Sequence, residues 1–298
     1  MLYAVQQLLN ALPIASLYAA LAFGYAIAFA VTRRADITYG ALFAFSGHVF
    51  LLAAHFGWNR LFLTFPAALL LGAAFAVLLV AGGGVAIGRH VVAPLSHVAP
   101  NALTVASLGL LLVLMEAARL ASGTRELWLP PFLNLPLPVW RYEGGTASLT
   151  LLQGLNSLVL VLLVVGGGWF LAVSRFGRNW RAVCDDPLAA ELLGVHVGRI
   201  CAGAYGLAAL FAALAGILAT AHYGTMDFGA GLVFGLKVLL IAAAGGHSHP
   251  LRAAAGAALF GLGETLWSGY GPLAWRDAVM LGALVALLVV SRRERVLV

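Results

Sequence analysis

The sequence predicts an all-α, polytopic transmembrane bundle of about eight to nine spans with one short cytoplasmic helix. Three observations carry that expectation. The 298-residue chain is 62% hydrophobic and only 9% charged, whereas a soluble domain needs about 25% charged residues to cover its surface. Its mean hydropathy is +0.99. Its apolar residues gather into long runs rather than alternating with polar ones. Lipid is therefore the expected outer solvent, and a soluble two-domain enzyme is excluded. The glycine content, 35 residues, suits helices packed closely in a bilayer.

A span needs about 20 apolar residues. Runs that meet or approach this length lie at 10–31, 37–55, 61–88, 101–121, 148–172, 199–220, 231–246, 251–268 and 275–291. Two of them are irregular: 37–55 carries Ser46 and His48, and 231–246 is short and holds Lys237. Either is a candidate for a broken or re-entrant element. Residues 1–32 contain no Lys or Arg and read as a retained first span rather than a signal peptide, which wants a basic n-region and a short apolar core. The whole of 1–298 reads as one transmembrane domain.

Basic residues set the expected orientation. Eleven of them (Arg33, Arg34, Arg89, those from Arg175 to Arg199, Arg252 and those from Arg292 to Arg295) fall on one side, against Arg60, Arg125, Arg141 and Arg276 on the other. The positive-inside rule then places the N-terminus outside and the C-terminus in the cytoplasm. The net charge of +6 is a topology signal and no nucleic-acid footprint, because the basic residues are dispersed between apolar runs.

Two segments lie outside the runs. Residues 122–147 hold Pro130, Pro131, Pro136 and Pro138 with Trp128 and Trp140, which suggests an external loop lying along the membrane. The cytoplasmic segment 173–199 contains Asp186 followed by Pro187, an N-cap and first-turn pair. Leu188, Ala189, Leu192 and Leu193 then give an apolar face, and Gly194 is a C-terminal stop. A short helix of this kind either packs on its own spans or fits a groove on a soluble motor domain.

The polar residues within the runs are Glu116, Arg119, Lys237, Glu264 and His48. A charge at the bilayer centre costs about 2.5–3.5 kcal/mol on insertion scales, so each should pair or face water. The two acids and two bases could form ion pairs between spans or line a polar vestibule for a zwitterionic solute; Lys237 could also snorkel outward. His48 suits a packing histidine better than a substrate ligand. His247 and His249 flank a turn with Ser248 and Pro250; without a third ligand they make no metal site. Cys184 and Cys201 lack a CxxC or Cys/His companion. An echo between 78–89 and 162–175 reads as chance in a chain this rich in Leu, Val and Gly.

The order of residues from Arg175 to Arg199 resembles the cytoplasmic loop of the branched-chain amino-acid permeases of ABC importers, in the shorter of their two types. Phe176–Gly177–Arg178, Arg181–Ala182–Val183, Leu192–Leu193–Gly194–Val195, Val197 and Arg199 carry the resemblance. Ala212, Ala215 and Gly216, the Gly235–Leu236–Lys237 run ending at Gly245–Gly246, and Gly263–Glu264 extend it, with a weaker match at Ala93–Pro94–Leu95. The chain departs at Ile37–Thr38–Tyr39–Gly40, where the family bears an Asn and a His–Gly pair, and at His247–Ser248–His249–Pro250. The resemblance implies half of a pore beside a second permease subunit, two ABC ATPase subunits and an external solute-binding protein. It also implies that Arg178, Arg181, Asp186, Pro187, Ala190, Leu193 and Gly194 form the coupling element. No GxxxxGK[ST] loop is present, so ATP is expected on the partners, with no cofactor, metal or catalytic residue in this chain. The expected substrate is a branched-chain or related amino acid; urea, short amides or another small polar metabolite are alternatives. An ion-coupled carrier would want acids nearer the midplane, and an intramembrane enzyme would need more than His48.

Overall fold

The computed structural model describes residues 2–95, 102–142, 145–245 and 249–293. His247 and Ser248 of the histidine turn lie outside these residues, as do Gly246 and the last five residues, Arg295 among them.

The helices are α1 (Leu2–Thr32), α2 (Thr38–Asn59), α3 (Phe65–Ile87), α4 (Ala93–Leu95), α5 (Ala102–Ala121), α6 (Leu151–Val173), α7 (Arg175–Asp185), α8 (Pro187–Leu192), α9 (Val197–Tyr223), α10 (Ala230–Gly245), α11 (Pro250–Tyr270) and α12 (Arg276–Arg293). A π segment, Gly88–Val92, runs α3 into α4. Each of the nine apolar runs therefore contains a long helix. Among the described residues, six helical stretches are long and apolar enough to cross a membrane: α1, α2, the α3–α4 stretch to Leu95, α5, α6 and α9. The run at 37–55 is neither broken nor re-entrant, since α2 is continuous through Ser46 and His48. Ser46 stays compatible with the helix by turning its hydroxyl back to the Phe43 carbonyl at 2.6 Å.

Local chemistry explains where several helices begin. Thr150 and Gln153 form a reciprocal capping box that starts α6. Ser174 accepts the Gly177 amide to start α7. Pro66 and Pro250 sit in the first turns of α3 and α11, where the missing N–H leaves no gap.

The centre of the bundle is α1, α2 and α9, which are mostly buried, whereas α3, α5 and α6 are mostly exposed. α1 packs most extensively on α11 and also on α9. The central seams are built from small residues, including Ala20, Ala22, Ala26, Ala212, Ala213 and Ala215, all fully buried. Lipid tails are as apolar as leucine, so close backbone approach, not exclusion of oil from water, is what associates such helices. Gly40 shows how close: a Cβ there would fall on the Gly231 carbonyl oxygen and on Gly235 Cα of α10. Large apolar side chains face outward instead, as with Leu70, Leu78, Val105, Val165 and Trp169, the arrangement a lipid exterior requires.

The segment 122–147 is a loop only in its first part. β1 (Pro136–Tyr142) and β2 (Gly145–Thr150) pair antiparallel into a two-stranded sheet, so the all-α expectation needs this one exception. Strands are possible despite Pro136 and Pro138 because β1 is an edge strand, where a missing amide breaks no inner ladder. Gln6 of α1 ties the hairpin down. Its side-chain amide donates to the Ser148 carbonyl and accepts the Ser148 amide, both at 3.0 Å.

Candidate functional site

Two groups of residues stand out from the packing of the bundle. The first is the connection between α6 and α9. α7 is an amphipathic helix whose Phe176, Trp180 and Val183 turn inward, with the Trp180 indole donating to the Ile27 carbonyl at 3.1 Å. No apolar run crosses Arg175–Asp185, so the runs alone do not predict this helix. The signal they pass over is the Ser174 cap followed by Phe176, Trp180 and Val183 at helical spacing.

Arg178 and Arg181 lie on α7 and turn back to the end of α6. Arg178 donates to the Val173 carbonyl at 2.9 Å, and Arg181 donates to Leu171 at 3.0 Å and Ala172 at 3.3 Å. These are among the carbonyls that a helix C-terminus leaves unpaired, and cations belong there. Both guanidinium groups therefore brace the α6–α7 corner.

α8 follows as a two-turn element held at both ends. Asp186 accepts the Leu188 and Ala189 amides at 2.9 and 3.2 Å, with Pro187 in the first turn. At the other end Gly194 takes φ +84°. Its amide donates to Glu191 and that of Val195 to Ala190, the paired bonds of a Schellman motif. Ala190 is buried and seats the helix on the bundle. Leu188, Leu192 and Leu193 are 74%, 89% and 83% exposed. The result is a knob of three bare leucines, capped so that it holds its shape.

The second group is buried. Lys237 of α10 and Glu264 of α11 form an ion pair at 2.8 Å, each only 6% exposed. Tyr18 of α1 donates to the other Glu264 oxygen at 2.8 Å. Asp277 lies 3.2 Å from Lys237, and the Arg276 Nε lies 3.7 Å from Glu264 and 3.5 Å from Asp277. Two acids and two bases make the cluster formally neutral, which is how charge is kept among apolar helices. Lys237 points into this cluster and does not snorkel. Glu116 and Arg119 do not join it; they pair with each other within α5, on an exposed face. Glu116, Arg119, Lys237 and Glu264 therefore fall into two separate groups. Asp277, Arg276 and Tyr18 are the members that sequence reasoning leaves out, and only the return of α12 and α1 past α10 brings them in.

His48 is buried on α2 and stacks on Phe228 with centroids 4.6 Å apart and planes 9° from parallel. No group of three or more His, Cys, Asp or Glu side chains that could hold a metal occurs among the described residues.

Comparison with known proteins agrees with this architecture. The family described as "Branched-chain amino acid transport system / permease component" matches residues 7–288. The high-affinity branched-chain amino acid transport system permease protein LivH of Escherichia coli (strain K12) is 27% identical, covering 97% of this chain and 94% of the relative. BraD of Pseudomonas aeruginosa, a permease protein of the same kind of system, is 25% identical over 95% of this chain and 92% of its own length. A shorter likeness, 39% identity over 94 residues, links 32% of this chain to 27% of the autoinducer 2 import system permease protein LsrC of Klebsiella pneumoniae. No solved structure matches. With the family match running through every long helix, from α1 to α12, the chain belongs to the permease components of branched-chain amino acid transport systems.

Proposed function

We propose that this chain is the membrane-embedded permease subunit of an ATP-driven importer of branched-chain amino acids, seated in the cytoplasmic membrane with its N-terminus outside and its C-terminus in the cytoplasm. A second permease subunit would complete the pore, an external binding protein would deliver the solute, and ABC ATPase subunits would supply the energy. The family membership supports the transport role, and the relatives' printed function supports the substrate class.

The observation that carries the coupling role is the leucine knob of α8. Three leucines left in water cost roughly 1.5–3 kcal/mol each relative to burial, and both ends of the helix are fixed by capping bonds. A surface shaped in this way is suited to an apolar groove on a separate protein. In the proposed cycle, closure of the ATPase pair presses on Leu188, Leu192 and Leu193. The short α8 passes the displacement to α9 through Val195 and to α6 through the arginine-braced corner.

Site-directed cross-linking tests this. A cysteine at Leu192 is expected to capture an ATPase subunit in native membranes, and Leu192→Glu is expected to abolish ATP-driven uptake at normal membrane abundance. Failure of both would remove α8 from the coupling path. Uptake that survives ATP depletion but collapses with a protonophore would instead favour an ion-coupled carrier, whose charged machinery would have to be the Lys237–Glu264–Asp277 cluster.

A further inference from the structure

A cavity of about 260 Å³ is walled by α8, the end of α1, α7 and the start of α9. It is just smaller than the roughly 300–1,000 Å³ usual for drug-sized sites, so its occupant is small. Val31, Val183 and Val197 give it apolar walls, and Arg33 and Glu191 bring charges of opposite sign. The cavity between α2, α3 and α5 and the one between α3, α6 and α9 have no Asp, Glu, Lys or Arg in their walls.

The two charges do not neutralise each other, since no ion pair within 4 Å joins them. Arg33 is held instead by the end of α7, where its Nη2 donates to the Cys184 and Asp185 carbonyls. Its Nε and Nη1 keep no hydrogen bond among the described residues. No side chain caps α9, and the Val197 and Gly198 amides of its first turn also bond to no described residue. A guanidinium and a helix N-terminus both favour a carboxylate. Glu191, on the α8 wall, has no cation within 4 Å among the described residues, so it is free to take an ammonium. A Cβ built on Gly198 would meet nothing within 4 Å, so the α9 side of the cavity is open.

We infer that this cavity binds a free amino acid with an aliphatic side chain, its carboxylate on Arg33 and the first α9 amides, its ammonium on Glu191 and its side chain among the valines. An alkyl carboxylate or an alkylamine would leave one of the two charges unmet. The molecule would bridge α8 to α1 and α9 and hold α8 still, so import would slow as its product accumulates on that face. That consequence rests on the reading of α8 as the coupling element; the binding itself does not.

The test uses the full-length protein in lipid nanodiscs with a diazirine-bearing leucine, photolysed and mapped by mass spectrometry. Adducts are expected within 31–33, 183–191 and 197–201, displaced by excess leucine. 4-Methylpentanoate and 3-methylbutylamine each lack one charge and should displace them about tenfold less effectively, the equivalent of one hydrogen bond to a charged group. Glu191→Gln, at an exposed position, should lower labelling by a similar factor. The absence of adducts in these segments, equal displacement by either analogue, or undiminished labelling of Glu191→Gln overturns the site, whatever α8 touches. In proteoliposomes of the assembled transporter, leucine supplied on the α8 side should slow the initial rate of ATP-driven uptake. A rate indifferent to that leucine, with a cysteine at Leu192 still captured by the ATPase, overturns the restraint and leaves the α8 reading standing.

Discussion

Lys237 Nζ and Glu264 Oε1 meet at 2.8 Å between α10 and α11, and the Tyr18 hydroxyl of α1 holds the second oxygen of the same carboxylate. One buried ion pair thus pins three helices, while Asp277 and Arg276 bring in the start of α12. Removing one member leaves the other charge stranded. Glu264→Gln or Lys237→Met alone should cost about 3–5 kcal/mol. Combining both should recover most of that loss, because an uncharged pair needs no desolvation. Thermal midpoints of the purified protein in detergent would check the non-additivity; additive losses would show that the pair is not coupled.

The caps of α8 give a second expectation. Asp186→Ala removes the acceptor for two amides and should cost about 0.5–2 kcal/mol of local stability. Gly194→Ala forces a side chain into left-handed backbone at a cost of roughly 1–2 kcal/mol. Hydrogen exchange at Leu188 and Ala189 should quicken in Asp186→Ala while exchange in α9 stays slow. If α8 rather than global folding is what the caps protect, uptake should fall as exchange quickens, while membrane abundance stays unchanged.

Legibility in the sequence followed the range of the interaction. The α8 caps were readable because Asp186, Pro187 and Gly194 act within a few residues of one another. The long helices were readable because their apolar runs are continuous. α7 was missed because its inward residues are only three, spread among arginines. The hairpin was missed because Pro136 and Pro138 argue against any regular structure except at an edge. The charge cluster was half legible: Lys237 and Glu264 announce themselves as charges in apolar runs. Nothing local says that Tyr18, some 246 residues from Glu264 in sequence, completes the site.

Glycine positions separate seams from lipid-facing surface. Gly40→Ala puts a Cβ against the α10 backbone and should cost about 1–3 kcal/mol through overpacking. Gly82→Ala meets nothing within 4 Å and should leave the thermal midpoint unchanged or slightly raised, since alanine is the better helix former. Equal effects of the two would contradict the close α2–α10 crossing.

The thiol of Cys184 offers a pH test of the α7 packing. Burial, with Asp185 adding to it, pushes this thiol up to about 12, against a smaller opposing effect of Arg33. The thiolate is the reacting form, so at neutral pH very little of it is available. Maleimide labelling of Cys184 in the folded protein should therefore be slow at pH 7 and climb through pH 9. In denaturant, where the thiol returns toward its ordinary value, labelling at pH 7 should become fast. Rapid labelling of the folded protein at pH 7 would mean that α7 stands away from α1. Trp180 would then not be docked on Ile27, and the brace behind the α8 knob would be lost with it.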